Sequence, residues 1–242
     1  MAWEIKFSNP LMIGLPNTGF VSFTWALAFR EMIVPDPCFY YRDNTPRIDI
    51  ARNNAVEAMF KRNCDALLFW DTDVVPYLPD ETKRQRFLVV DKYAIIKLMN
   101  HNLDIVGGLY MELETDAPQR PTAWVFVEGH GLQPIRNRSG LVKVDCISTG
   151  FLLIKRRVFE KIKEMNPNVP FFWYSKGEIP PKPHPWDQYA SPEDRGKGIG
   201  EDFWFSWLAR NAGFDIYCDC DLKVAHIGLG TATEEGVTIG NV

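Results

Sequence analysis

The chain has 242 residues, 46% of them hydrophobic and 24% charged, with a formal net charge of −4 and a sequence pI near 5.6. That length suits a single soluble α/β domain spanning 1–242, and the acidic balance argues against nucleic acid as the main partner, because phosphate binding needs a clustered excess of Lys and Arg. The start, MAWEIKFSNPLMIGLP, lacks a basic n-region and an apolar stretch, and no run of about 18 apolar residues follows, so the chain reads as cytoplasmic with no transmembrane segment.

In chain order, LMIGLP at 11–16 reads as a first strand. Residues 20–33 carry Phe20, Trp25, Ala28 and Met32 on one helical stripe. A second helix is expected to start with Thr45 as cap and Pro46 at the first helical position, and to bury Ile48, Ala51, Ala55 and Met59 as far as Asn63. CDALLFW then reads as a strand covered on both faces. The basic run KRQR at 83–86 reads as a solvated loop.

Asp91 is placed to cap a helix running to Asn100, and LDIVGGLY reads as another strand. TAWVFVEG and GLVKVDCI suggest a hairpin around the turn-rich RNRSG, which makes the sheet mixed. RRVFEKIKEM is a helix, whereas 166–198, rich in Pro, Gly and aromatics without a period, reads as a lid or a disordered loop. Glu201 and Asp202 open a helix closing near Asn211 to Gly213, and DIYCDCDLKVAHIG is a strand with His226 at its apolar end. Five cysteines without a CxxC pair fit neither a disulfide framework nor a zinc site, so Cys218 and Cys220 are expected to be reduced core residues.

The chemistry concentrates in Asp71 and Asp73, which follow the apolar run LLFW directly. Two negative charges at the end of a buried strand need a counter-charge, and a divalent cation supplies one. The carboxyl end of a strand is also where open α/β sheets bind ligands. Acids at 201 and 202 suit the first turn of a helix, so capping is an alternative to chemistry there. A lone His such as His226 is commonly a core residue, and a metal site beside it changes that reading.

LPNTGFV, RNNAVEAMF, DTD, GGLY, ISTGFLLI, GEDFWFSWLARNAGF and AHIG occur in an order that resembles glycosyltransferases of the GT-A fold, within the inverting, family-2-like group of phage and bacterial type. The resemblance covers nearly the whole chain. It implies a mixed central sheet flanked by helices, with a nucleotide-sugar-binding half at about 1–110 and an acceptor half at about 111–242. It further implies that DTD binds a nucleotide-sugar through Mn²⁺ or Mg²⁺, with Asp73 the direct ligand, Asp71 nearer the ribose or a metal-bound water, and His226 completing the shell.

By the same resemblance Pro16, Asn17 and Thr18 hold the base, and Arg52 and Asn53 lie near the nucleotide, with an exposed helical Arg the alternative for Arg52. Gly107, Gly108, Thr149 and Gly150 would let the backbone approach donor or acceptor, with tight turns at strand ends as the alternative. Asp202 matches the general base that activates the acceptor hydroxyl, and Glu201 would hold that hydroxyl. Trp173, Tyr174, Trp186 and Trp204 are available to stack on sugar rings of a glycan acceptor, with core packing the alternative for Trp204.

Two other readings use the same residues. FWDTDVV satisfies the DxDx[TV] pattern of haloacid-dehalogenase-like phosphatases, with Asp71 as nucleophile and Asp73 as acid/base, although no later Lys followed by GDxxxD is present. A non-catalytic protein that binds a nucleotide-sugar or glycan would keep the fold without turnover.

Overall fold

The LMIGLP run forms β1 (Leu11–Pro16), buried along its whole length, as are β3 (Ala66–Trp70) and β5 (Ile105–Tyr110). Strands without a polar face need cover on both sides, and helices provide it. The computed structural model describes residues 10–16, 19, 21–85, 88–112, 120–174, 200–227, 230–233 and 236–239.

Between these strands run α1 (Phe23–Glu31), the edge strand β2 (Cys38–Asp43), α2 (Ile48–Lys61), β4 (Val74–Pro76), α3 (Pro79–Gln85) and α4 (Ala94–Asn100). The remainder comprises β6 (Ala123–Val127), β7 (Gly131–Pro134), β8 (Leu141–Val144), β9 (Cys146–Ile147), β10 (Phe151–Lys155), α5 (Arg156–Met165), α6 (Glu201–Asn211), β11 (Ile216–Ile227), β12 (Gly230–Thr233) and β13 (Gly236–Ile239).

The main sheet has the order β13-β12-β11-β5-β10-β3-β1-β2, with β4 and β8 also paired to β11. It is mixed: β1 is parallel to β2 and β3, β11 is parallel to β5, and β10 runs antiparallel between β3 and β5. Strands from late in the chain therefore sit among early ones, and the halves expected at 1–110 and 111–242 share one sheet. Side-chain alternation along β3 sends Leu67 and Phe69 into a core with Met59, Phe159 and Phe205, and Leu68 and Trp70 into a second core with Trp25 and Leu98. Helices α2, α5 and α6 cover one face, and α1 and α4 the other.

Several local expectations change. Helix α2 begins at Ile48, two residues later than Pro46, because Thr45 donates its amide to Asp43 Oδ1 at 2.7 Å and closes a turn before the helix. The expected hairpin is replaced: β6 pairs with β7 and β9 in a separate three-stranded sheet, while β8 joins β11. Asp145 marks the crossing, with its amide on the Trp124 carbonyl and its carboxylate accepting from the Phe126 amide at 2.6 Å. Asp91 does hold the start of α4, accepting the Tyr93 amide and pairing with Lys97. Cys218 and Cys220 are buried thiols. No helix among the described residues is long and apolar enough to cross a membrane.

Candidate functional site

The Asp71–Asp73 turn leaves the carboxyl end of β3 and is braced from several elements. Asp71 donates its amide to the Gly150 carbonyl at 2.8 Å, and its own carbonyl accepts from Trp25 Nε1 at 3.1 Å. Trp70 Nε1 donates to the Val74 carbonyl at 2.9 Å, and Ile227 donates its amide to the Asp73 carbonyl at 2.6 Å. Antiparallel pairing of β4 with β11 sets Val74 opposite His226. A register irregularity in β11 between Asp219 and Lys223 precedes this pairing, and such bulges re-aim the residues beyond them. His226 Nε2 thus comes to 3.4 Å from Asp73 Oδ2, with the Asp73 side chain 56% exposed.

Arg52 joins this turn to α6. Its side chain is 3% exposed, with Nη2 on Asp71 Oδ2 at 2.9 Å and Nη1 on Asp202 Oδ1 at 2.8 Å and on Glu201 Oε1. The exposed helical arginine considered from sequence is therefore excluded: the buried face of α2 carries Asp49 and Arg52 beside Ala51, Ala55, Val56 and Met59. Asp202 Oδ1 also accepts from Thr149 Oγ1 at 2.6 Å and from the Thr149 amide at 3.3 Å. Three donors converge on one oxygen, and Oδ2 takes none from the described residues.

Among the described residues one guanidinium faces three carboxylates, which leaves an excess of negative charge there. Burial alone would lower the Arg52 pKa, but Asp71, Asp202 and Glu201 together hold it above its ordinary value. The Asp71 carboxyl is pushed up to about 6 by burial, with Arg52 opposing and Asp73 and Asp202 adding to the rise. Glu201 is raised by burial and then by Asp202. Burial works against charge on His226, and its contact with Asp73 outweighs that, raising its pKa. Asp71 Oδ1, Arg52 Nε and His226 Nδ1 are buried without hydrogen-bond partners.

Tyr110 is a site residue that sequence reasoning missed. Its buried hydroxyl accepts the Gly150 amide at 3.3 Å, and its ring stands edge-on to His226 at 5.8 Å. Burial, followed by the charges of Asp202 and Asp71, raises its pKa well above the ordinary value. Gly150 is what admits it: a Cβ there would lie 2.6 Å from the Tyr110 hydroxyl. The close approach expected at Gly150 is thus made by a neighbouring side chain.

Other expected site residues are turned elsewhere. Gly107 and Gly108 lie within β5 and form no turn; a Cβ on the first would meet Ile147 at 2.9 Å and on the second Val224 at 2.8 Å, so both make room for core packing. Asn53 donates to the Asp49 and Phe172 carbonyls and accepts from the Phe171 and Phe172 amides, which commits its amide to pinning 171–172 onto α2. Trp204 is 6% exposed, donates to the Pro170 carbonyl and meets Trp173 edge-on at 5.3 Å. These contacts make Trp204 a core residue, with Trp173 packed against it. Pro16 ends β1, fully in the sheet opposite Asp43. Asn17, Thr18, Trp186 and the 175–198 part of the expected lid lie outside the described residues.

Among the described residues no three His, Cys, Asp or Glu side chains gather into a complete cation cage. Asp73 and His226 nevertheless offer an oxygen and a nitrogen side by side, and Asp71 Oδ1 is a buried acceptor without a donor. Asp73 and His226 alone would suit a hard cation only if its remaining ligands came from outside the described residues. The cation beside these acids is an arginine tied to three carboxylates, and no lysine among the described residues contacts Asp71, Glu201 or Asp202.

No protein-family model matches the chain, and no curated protein matches it. Among solved structures, A197 from STIV superposes with a TM-score of 0.58 at 18% identity, over 97% of this chain and 95% of that one. GalNAc-T7 with UDP, GalNAc and Mn²⁺ superposes with a TM-score of 0.49 at 9% identity, over 94% of this chain and 45% of that one. At such identities the likeness is one of fold. The chain has an α/β fold with a mixed central sheet flanked by helices, and it shares that fold with A197.

Proposed function

We propose that the chain is a cation-dependent glycosyltransferase that moves a sugar from a nucleotide-sugar to an acceptor hydroxyl with inversion. The observation that carries this reading is the state of Asp202: Arg52 and Thr149 hold Oδ1, and among the described residues nothing donates to Oδ2, which leaves it to accept a proton. In the proposed reaction Asp202 Oδ2 takes the proton of the acceptor hydroxyl as its oxygen attacks the anomeric carbon. The bond from that carbon to the diphosphate breaks on the opposite face, and the diphosphate departs with the electron pair. A carboxylate in this role contributes about 10²- to 10⁴-fold.

Glu201 has Oε1 on Arg52, and Oε2 is its oxygen for orienting the acceptor hydroxyl. Asp73 and His226 would hold Mn²⁺ or Mg²⁺, with the single imidazole favouring Mn²⁺. Such a cation would neutralise the charge that develops on the leaving diphosphate. Asp71, turned onto Arg52 through Oδ2, keeps Oδ1 for the ribose or a metal-bound water. The acceptor is a glycan or another hydroxyl-bearing molecule.

The test is a thermal-shift screen of nucleoside diphosphates and nucleotide-sugars with and without Mn²⁺, followed by product detection with the sugar that binds. A ligand at about 100 times its Kd adds roughly 2.7 kcal/mol. Equal stabilisation in excess chelator would remove the cation assignment, and binding without any transfer or hydrolysis would leave a binding protein.

A further inference from the structure

Arg52 stands between two groups that the proposed reaction uses for different purposes. Nη2 is on Asp71 Oδ2 at 2.9 Å, on the donor side, and Nη1 is on Asp202 Oδ1 at 2.8 Å and on Glu201, on the acceptor side. The side chain is 3% exposed, so solvent does not stand in for either contact. A guanidinium is planar and moves as a rigid fork. A shift toward one set of carboxylates is a shift away from the other.

We infer that Arg52 couples the two half-sites, so that a cation bound at Asp71–Asp73 is felt at Asp202 through the shared guanidinium. The inference rests on reading Asp202 as the base and the Asp71–Asp73 turn as the cation side. A divalent cation beside Asp71 competes with Arg52 for that carboxylate and loosens the Nη2 contact. More of the arginine's charge then falls on Asp202 and Glu201, which fixes the acceptor side once the donor side is filled. Linkage makes the effect reciprocal: whatever frees Arg52 from Asp202 strengthens its hold on Asp71 and weakens cation binding by the same factor. Arg52 is thus a positioning residue, acting through Asp202 and Asp71.

Calorimetric titration of Mn²⁺ alone into the full chain tests this in wild type, Asp202→Asn, Arg52→Lys and the double variant. Lysine keeps the buried charge, but one ammonium does not span Asp71 and Asp202 as a fork does. Asp202→Asn is expected to weaken Mn²⁺ binding about tenfold when Arg52 is present, within the ~5- to 150-fold range of ordinary coupling. In the Arg52→Lys background the same change should matter by no more than about twofold, the additivity of independent sites. Equal losses in both backgrounds would overturn the coupling, since the loss would then be the direct removal of a negative charge.

A wild-type chain that binds no Mn²⁺ refutes the cation reading by itself. In that case, or if Arg52→Lys does not fold, denaturation midpoints of Asp71→Asn, Asp202→Asn and their double variant decide the sharing with Arg52 in place. Each single variant leaves Arg52 two of its three carboxylates, with at least one on the opposite side, whereas the double variant leaves Glu201 alone, so the double variant should lose more than the sum of the singles. Additive midpoints overturn the inference.

Discussion

Arg52 Nη1 lies 2.8 Å from Asp202 Oδ1 across 150 positions of sequence. The contact ties the interior of α2 to the first turn of α6 and bears against capping as the role of Asp202. A capping acid turns its oxygens to the free amides of its own helix, whereas Asp202 Oδ1 is taken by donors from α2 and from the loop before β10. Its charge still suits the helix N-terminus. That interaction does not aim the side chain; Arg52 and Thr149 do.

Asp202→Asn keeps an oxygen for Arg52 and Thr149 but removes the proton acceptor. Transfer is expected to fall by at least ~10²-fold, the lower end of general-base loss, while the protein stays folded and still binds nucleoside diphosphate with Mn²⁺. Single-turnover rates at saturating donor and acceptor measure this directly. Near-normal turnover by folded Asp202→Asn protein would leave the inverting mechanism without its base.

The acids of this site were legible in sequence; Arg52 was marked only by the resemblance, and its burial and its partners were not. A short apolar strand that ends in Asp71 and Asp73 carries its own electrostatic problem, and the strand-then-acid order shows it locally. Helical periodicity, by contrast, assigns buried positions to apolar residues, so it passes over Asp49 and Arg52 on the inner face of α2. The partners of Arg52 lie 19, 149 and 150 positions away, and no local pattern encodes them. Strand β4 has three residues, too few for alternation to register. Gly107, Gly108 and Gly150 announce close approach in the sequence; what approaches them is the packing of neighbouring strands and the Tyr110 ring.

Gly150→Ala tests that last contact. A Cβ at 2.6 Å from the Tyr110 hydroxyl must displace the ring from between Gly150 and His226, at a cost of about 1–3 kcal/mol for overpacking and with loss of transfer. Adding Tyr110→Phe removes the atom that clashes most and should restore part of the stability. Chemical denaturation of both variants supplies the comparison, and a double variant no more stable than Gly150→Ala would show that Tyr110 does not set the requirement for glycine.

Asn53 separates loop anchoring from nucleotide contact. Asn53→Ala leaves the Phe171 and Phe172 amides and the Phe172 carbonyl without their partner, which costs about 1–3 kcal/mol for each buried group that finds no substitute. Affinity for nucleoside diphosphate with Mn²⁺ should be unchanged at a temperature where the variant is folded. A variant of undiminished stability with weakened diphosphate binding would return Asn53 to the nucleotide side.

Asp71 predicts how proton, cation and fold compete. Its ordinary pKa of 3.8 is pushed up to about 6 in the folded chain, chiefly by burial, so the folded state binds this proton more tightly than the unfolded state. The stability it contributes is fully present below pH 3.8 and is lost as the pH rises through about 6, leaving the ionised carboxyl unfavourable to folding at neutral pH. Asp71→Asn should therefore be at least as stable as wild type at pH 8, with that relative advantage shrinking as the pH falls from about 6 to 3.8. A divalent cation supplies the missing counter-charge only when Asp71 is ionised, because proton and metal compete for a carboxylate. Thermal denaturation with and without Mn²⁺ should show a stabilisation that grows as the pH rises through about 6 in wild type and is much reduced in Asp71→Asn. An Mn²⁺ shift of equal size at pH 5 and pH 8 in wild type would place the cation away from Asp71, and an Asp71→Asn protein clearly less stable than wild type at pH 8 would mean that its pairing with Arg52 outweighs its burial.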